Sequence, residues 1–284
     1  MKILITGING QVGSALFRQA KTLGHEVIAI SREQWDMALS PEYGEELVLK
    51  TNPDLVINPA AYTNVDGAED DEATALKVNV DAPRALAKGC KQLDIRMFHV
   101  STDYVFDGIK EEPYVETDKT NPINAYGRTK LAGELAVQEE TQKYIILRTS
   151  WVFSKDGKNF VNTILRLARE RDELKVVNDQ FGGPTSAECI SEVLLQLATE
   201  HKEHWGIYHF SGQPFVSWYE LAKQIVEQGI KDGLLTKVPQ IKPCGSDEYP
   251  VIAKRPKNSR LSSKKIASYF GLSVCDWTQS VRGF

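Results

Sequence analysis

No run in this 284-residue sequence approaches the roughly eighteen consecutive apolar residues that cross a bilayer, and none reads as low-complexity or as an internal repeat. A membrane span and a solenoid are thereby set aside. Cysteine is scarce: Cys90, Cys189, Cys244 and Cys275 stand too far apart for a metal pattern, and a disulfide framework does not suit this length. Free thiols in a reducing compartment are expected. An excess of positive charge is also missing. Thirty-four basic against thirty-eight acidic residues leave a formal charge of −4, which gives no electrostatic case for nucleic acid or an anionic membrane. Basic residues gather only late, at Lys254, Arg255, Lys257 and Arg260, enough for a local phosphate site. The apolar start ILITG runs straight into glycines without the shape of a signal peptide, so the cytoplasm is the expected location.

Hydrophobic residues at 42% and charged residues at 25% describe an ordinary globular protein. Short apolar runs recur at 2–6, 26–30, 54–58, 95–101 and 144–150, with LKVVN (174–178) as a candidate sixth strand and IYHFSG (207–212) as one more. Helix-length segments separate them, at 12–20, at 72–89 and around Tyr126. Poorly alternating strands between helices predict a parallel sheet covered on both faces. The expected fold is therefore α/β: a Rossmann-like doubly wound parallel sheet with a smaller mixed α/β substrate-binding lobe. Residues 1–150, with parts of about 171–181 and 185–211, are assigned to the Rossmann domain. About 151–170 and 212–284 fall mainly to the second lobe, where SWYELAKQIVEQG reads as a helix capped by Ser217.

GINGQVG places Gly7, Gly10 and Gly13 after the first strand and before the first helix. A dinucleotide site needs that context: a tight turn, bare backbone beside a pyrophosphate and a helix N-terminus facing negative charge. No G-K-[ST] follows, which argues against a nucleoside-triphosphate loop. The second strand ends in AISREQWD, where an acidic residue would suit the ribose hydroxyls of NAD. Ser31 and Arg32 stand there instead. Arginine suits a 2′-phosphate, so NADPH is favoured, with NADH an alternative if Arg32 is merely a solvated surface residue.

In NAYGRTKLAGE, Tyr126 and Lys130 lie four residues apart on one helix face, about 6 Å along the axis. STDYVFDG presents Ser101, Thr102 and Asp103 at the carboxyl end of the fourth strand, the edge where such sheets bind ligands. The pattern suits hydride transfer between a nicotinamide and a carbonyl carbon. Tyr126 would supply the proton, with its pKa lowered by the Lys130 ammonium, and Thr102 would hold the carbonyl oxygen. Lys130 would also hold ribose hydroxyls. A packed tyrosine beside a solvated lysine is the bland alternative, and the glycine loop together with the strand-end threonine weighs against it.

TGINGQVG, NPAAYTNVDGAE (58–69), FHVSTDYVFDG (98–108), NAYGRTKLAGE, LRTSWVF (147–153), DQFGGPTSA (179–187) and AKRPKNSRL (253–261) together resemble the extended short-chain dehydrogenase/reductases, and within them the dTDP-4-dehydrorhamnose reductase family. The resemblance covers nearly the whole chain. It implies reduction of the 4-keto group of dTDP-6-deoxy-L-lyxo-4-hexulose to give dTDP-L-rhamnose. Thr102, Tyr126 and Lys130 match the family's catalytic trio, with Tyr126 as proton donor. Thr102 and Asp103 match substrate contacts, and Trp151 matches an aromatic that lies against the nucleotide-sugar. Gly10, Gln11 and Val12 match the cofactor loop, Asp36 and Met37 would flank the adenine, Ala60, Ala61 and Tyr62 would line the cofactor, and Asn79 would sit near it.

NPAAYT departs from the usual NAAAYT, and Pro59 removes a backbone donor at a strand end. Arg255, with Lys254, could serve the two phosphates of a dTDP-sugar, against a solvated basic face as the alternative. Some relatives hold magnesium through glutamates at a dimer interface. No such set is placed in this sequence, so no metal is expected, and a homodimer stays open. The rival readings are a reductase of another dTDP-4-keto-6-deoxy sugar and a non-catalytic NADP-binding subunit. An epimerase or dehydratase is disfavoured because Asp103-Tyr104 is not the Asp-Glu pair of the dehydratases.

Overall fold

The computed structural model describes residues 1–200, 203–282 and 284. In chain order the strands are β1 (Lys2–Thr6), β2 (Glu26–Ile30), β3 (Leu55–Asn58), β4 (Arg96–Thr102), β5 (Tyr144–Thr149), β6 (Val152–Phe153), β7 (Glu173–Val177), β8 (Phe181–Gly182), β9 (Thr185–Ser186), β10 (Gly206–His209), β11 (Val216–Ser217) and β12 (Gln240–Cys244). Six of them form one sheet in the order β10-β5-β4-β3-β1-β2, with every neighbouring pair parallel. Ile3, Leu4 and Ile5, and Leu55, Val56 and Ile57, are fully buried, so consecutive side chains on both faces of these strands are covered. The chain steps from β1 outward to β2 and returns past β1 to β3. That reversal opens a crevice at the carboxyl ends of β1 and β3.

LKVVN does not extend this sheet. As β7 it pairs in parallel with β12 in a separate two-stranded ribbon, and β10 takes the sixth place. The burial of β7 explains this: Leu174 and Val176 are covered while Glu173 and Lys175 are exposed, a one-sided pattern unsuited to the middle of a doubly covered sheet. Leu174 and Val176 join a second apolar core with the helices Phe160–Glu170 and Trp218–Lys231 and with Trp277 and Val281. Ser217 caps the second of those helices in a reciprocal capping box with Glu220.

The helix Ala125–Glu140 is positioned by three devices. Asn124 caps it, accepting from the Gly127 backbone N–H at 2.7 Å, and donates at 2.8 Å to the Lys254 carbonyl, which ties the helix start to the late basic segment. Farther along, Gly133 lies against the Asn79 carbonyl so closely that a Cβ there would stand 1.9 Å from that oxygen. Asn79 sits in a wide π-type turn, Lys77–Asp81, that interrupts the expected 72–89 helix. Pro83, four residues on, brings no N–H to the Asn79 carbonyl, so that oxygen faces outward for a neighbour. Third, Glu134 accepts from Arg148 of β5 at 2.6 and 2.9 Å and from the Ser101 hydroxyl at 2.5 Å, with both charged side chains almost wholly buried.

Replacing Gly133 with alanine is expected to lower unfolding stability by about 1–3 kcal/mol through overpacking, in spite of alanine's better helix propensity of up to ~1 kcal/mol. Urea unfolding checks this, and a midpoint at or above that of the parent chain would contradict the close seat.

Candidate active site

The glycine turn is built as its spacing demands. Gly7 has φ +60°, the Gly10 N–H donates to the Gly7 carbonyl at 2.9 Å, and a Cβ on Gly13 would stand 2.1 Å from that same oxygen. The helix Gln11–Thr22 then starts without a side-chain cap and with no acidic residue in its first turn. Its first N–H groups and positive dipole end are left for a ligand rather than spent within the chain. A dinucleotide pyrophosphate fits that cradle. The Gln11 side chain accepts from Ser154 at 2.9 Å and Asn159 at 3.0 Å, tying the turn to the loop after β6.

A cleft of about 910 Å³ runs from this turn across the carboxyl ends of β2, β3, β4 and β5. Of the residues singled out from sequence, Gly7, Gly10, Gln11, Val12, Gly13, Arg32, Asp36, Met37, Ala60, Ala61, Tyr62, Thr102, Asp103, Tyr126, Lys130 and Trp151 all border it. Asn79 and Arg255 do not. Asn79 is fully buried; its amide accepts from the Tyr62 N–H at 2.8 Å and donates to the Tyr62 carbonyl at 3.2 Å and to Thr129 at 3.0 Å. It fixes the loop that lines the cleft without lining it. Arg32 has an 80% exposed side chain and, among the described residues, a single ion pair, to Asp36 at 3.1 Å. Asp36 is held below the usual carboxylate range, first by the Ala38 N–H and also by Arg32.

Thr102, Asp103, Tyr126 and Lys130 converge at one end of this cleft. The Thr102 hydroxyl donates to Asp103 at 2.9 Å and accepts from the Tyr104 N–H at 3.2 Å. Burial pushes the Tyr126 phenol up to about 12; a hydrogen bond with Thr102 opposes this and the Asp103 carboxylate adds to it. Burial decides the direction in the free protein, where Lys130 Nζ is turned to other partners, donating to the Val100 carbonyl at 2.8 Å and standing 3.4 Å from His99 Nε2. Lys130 is itself buried and pulled down to about 8 by that burial, with Glu134 opposing. The free protein thus holds a loaded phenol beside an ammonium near its titration point. Burial raises Asp103 to about 6 against the opposing influence of Ser259 and Thr102, and among the described residues no group stands within good hydrogen-bond geometry of its Oδ2.

Trp151 adopts φ +48°, in the left-handed region that a bulky residue rarely occupies, and stacks on Trp218 with ring centroids 3.4 Å apart. Trp218 and Tyr104 border both the main cleft and a second cavity of about 570 Å³. Arg255 lies on this second cavity, with its guanidinium held two-pronged by Asp66 at 2.9 and 3.0 Å. Tyr104, edge-on to Tyr126 at 5.6 Å, and Trp218 escaped the sequence reading. Tyr104 directly follows the singled-out STD, and Trp218 directly follows the cap Ser217; an aromatic next to a recognised motif was the available signal. Among the described residues no group of three or more His, Cys, Asp and Glu is arranged to hold a metal, and no helix is long and apolar enough to cross a membrane.

Comparison with known proteins gives four likenesses. The profile described as the RmlD substrate binding domain matches residues 1–284. The dTDP-4-dehydrorhamnose reductase of Burkholderia thailandensis is 44% identical over 290 residues, spanning 99% of this chain and 97% of that protein. The crystal structure of a dTDP-4-dehydrorhamnose reductase from Clostridium acetobutylicum superposes with TM-score 0.92 at 38% identity, covering 99% of this chain and 97% of that one. The enzyme of that name from Bacillus anthracis, in complex with NADP, gives 0.91 at 32%, covering 99% and 96%.

The Asp103 carboxyl binds its proton at higher pH in the folded chain, about 6, than at its ordinary value of 3.8. Its stabilising contribution is complete below the ordinary value and disappears as pH rises through the folded one. The stability of the parent chain relative to Asp103→Asn is expected to fall by roughly 3 kcal/mol between about pH 3 and pH 7 and to stay level above. Paired denaturant titrations across that range read the difference directly; a flat difference would rule out the raised carboxyl.

Proposed function

We propose a residue-level mechanism from the premise that this chain belongs to the dTDP-4-dehydrorhamnose reductase family: it is an oxidoreductase that reduces the 4-keto group of dTDP-4-dehydrorhamnose to give dTDP-L-rhamnose. The observation that carries the mechanism is the convergence of Thr102, Tyr126 and Lys130 at the end of a cleft that begins at an uncapped, glycine-lined helix N-terminus. The cofactor is a nicotinamide dinucleotide, which supplies the hydride to the keto carbon when bound. Backbone N–H groups of Gln11, Val12 and Gly13 would hold its diphosphate, with Gly10 closing the turn that presents them. Asp36 and Met37 would border its adenine, and Ala60, Ala61 and Tyr62 would line it from the end of β3. Asn79 serves by holding Tyr62.

Tyr126 is the proton donor. As carbonyl becomes alkoxide, its oxygen takes the phenolic proton, and a phenol raised in the free protein enters the reaction fully protonated. Thr102 donates a hydrogen bond to the same oxygen, exchanging its partner Asp103 for the substrate. The Lys130 ammonium stabilises the phenolate left behind, which requires it to be charged at working pH. Asp103, freed from the Thr102 proton, accepts from a sugar hydroxyl. Trp151 offers a flat face to the nucleotide-sugar. Arg255, on the adjoining cavity, meets the diphosphate after loosening its pair with Asp66. The assignment of that cavity and the second apolar core to a substrate lobe rests on the same reading. Four free thiols agree with a reducing, cytoplasmic setting.

NADPH is the preferred donor in this reading. Arg32 is exposed at the end of β2, able to exchange Asp36 for a 2′-phosphate, and a relative was solved with NADP.

Enzymatically prepared dTDP-4-dehydrorhamnose should drive loss of reduced-nicotinamide absorbance and accumulation of dTDP-rhamnose. In Tyr126→Phe, kcat should drop about 10²–10⁴-fold with little change in substrate affinity. Turnover retained in that variant would remove Tyr126 as the acid. Arg32→Ala should reduce the preference for NADPH over NADH by about tenfold, one charge-assisted phosphate contact, as read from kcat/KM for the two cofactors. An unchanged ratio would place the 2′-phosphate elsewhere.

A further inference from the structure

A line of buried side chains runs from Lys130 across three strands. Lys130 Nζ stands 3.4 Å from Nε2 of His99 on β4; Nδ2 of Asn58 on β3 stands 3.1 Å from His99 Nδ1; and the Thr6 hydroxyl on β1 donates to Asn58 Oδ1 at 2.5 Å, although turning the amide over leaves every one of these distances in place. Thr6, Asn58 and His99 are wholly buried and Lys130 is 1% exposed. Burial, and then the Lys130 ammonium, hold His99 well below the usual imidazole range, so the ring is neutral and carries one proton.

A neutral ring allows this line two directions. In one, Thr6 donates to the Asn58 oxygen, the Asn58 nitrogen donates to His99 Nδ1, and His99 Nε2–H points at Lys130. The lysine must then accept, which only the uncharged amine can do. In the other, the amide is turned over: His99 Nδ1–H donates to the Asn58 oxygen, the Asn58 nitrogen donates to Thr6, and His99 Nε2 offers a lone pair to the lysine. Only this direction suits an ammonium. The charge on Lys130 and the His99 tautomer are therefore one choice, made together.

The other groups around Lys130 leave that choice open. Tyr126 and Glu134 belong to its own helix; Glu134 is already paired with Arg148 of β5, and Asp103 of the segment after β4 acts on Tyr126. Apart from His99, the acceptor recorded for Nζ is the Val100 carbonyl. We propose that His99 is a positioning residue of this reductase: as the Nδ1–H tautomer fixed by Asn58, it accepts from Lys130 and keeps the lysine charged and in place while the reduction runs. This rests on the reading of Lys130 as part of the catalytic trio. Because burial alone brings Lys130 down to about 8, the loss of one acceptor is felt within the physiological range.

The direct test is nitrogen NMR of the His99 ring in the cofactor-free protein, which needs no turnover. A proton on Nδ1 with bare Nε2 is expected at neutral pH, changing to Nε2–H as Lys130 loses its charge on the alkaline side. A proton on Nε2 at neutral pH, or a tautomer that ignores the lysine, overturns the proposal. Two variants give the kinetic counterpart. A glutamine at 99 can reach Lys130 with its amide oxygen, whereas an asparagine stops at Asn58. The alkaline fall of kcat/KM should move to lower pH by about one unit in His99→Asn, the size carried by one hydrogen bond to a charged group, and stay near its parent position in His99→Gln. Equal shifts in both variants, or none in His99→Asn, would make His99 merely structural. If the NMR tautomer is as expected while Tyr126→Phe still turns over, the mechanism fails and the His99–Lys130 coupling stands.

Discussion

The close seat of the Ala125–Glu140 helix on the sheet is the constraint from which the site follows. Glycine at 133 brings the helix down onto a carbonyl that Pro83 leaves without its helical donor, and the same residue, Asn79, clamps both backbone groups of Tyr62. One wide turn therefore fixes the helix bearing Tyr126 and Lys130 and the loop that walls the cleft opposite. The Glu134–Arg148 pair adds registration more than net stability. Two buried charges roughly offset their own desolvation, whereas losing one partner leaves the other stranded at about 3–5 kcal/mol. Ser101 joins that pair from the residue just before Thr102, so the strand end and the helix are aligned by the same carboxylate.

Around this rigid seat the cleft holds groups far from their comfortable states. Burial raises Tyr126 and Asp103 and lowers Lys130, and Trp151 keeps a backbone conformation that suits glycine better. At neutral pH the Asp103 and Lys130 shifts and the Trp151 backbone weaken the free fold, while the raised Tyr126 phenol costs nothing there; together they are what a ketone reductase needs: a phenol that keeps its proton until the carbonyl arrives, a lysine whose charge is sensitive to its neighbours, and an aromatic face turned toward the ligand. Perturbed groups of this kind collect at functional sites because the surrounding packing can carry them.

The sheet and the glycine turn were legible in the sequence because both rest on local rules. Strands buried on both faces read as apolar runs, and a strand-glycine-helix junction has few other uses. Most of the cleft residues followed once a strand end could be paired with a helix face. What escaped was decided by tertiary partners. LKVVN has the composition of a central strand, and only its alternating burial assigns it to the ribbon with β12. Asn79 was expected near the cofactor, but its amide is spent on the Tyr62 backbone. Arg255 has its fork held by Asp66, nearly two hundred residues earlier in the chain, a partner that no local pattern announces. Helical spacing pairs Tyr126 with Lys130 but says nothing of the phenol's burial, or of Val100 and His99 beside the lysine. His99 itself sat inside a quoted motif, unremarked, because a histidine within a strand gives no outward sign of which neighbours it will meet.

Tyr104 and Trp218 border both the main cleft and the cavity that reaches Arg255. The two spaces thus have a common partition, and its strongest member is a flat indole pair in near-parallel contact. A partition cannot yield to an occupant on one side without altering the room on the other. To the extent that a guest in one space shifts the indoles, it is linked to whatever occupies the other even where the two never touch, and such a linkage is reciprocal.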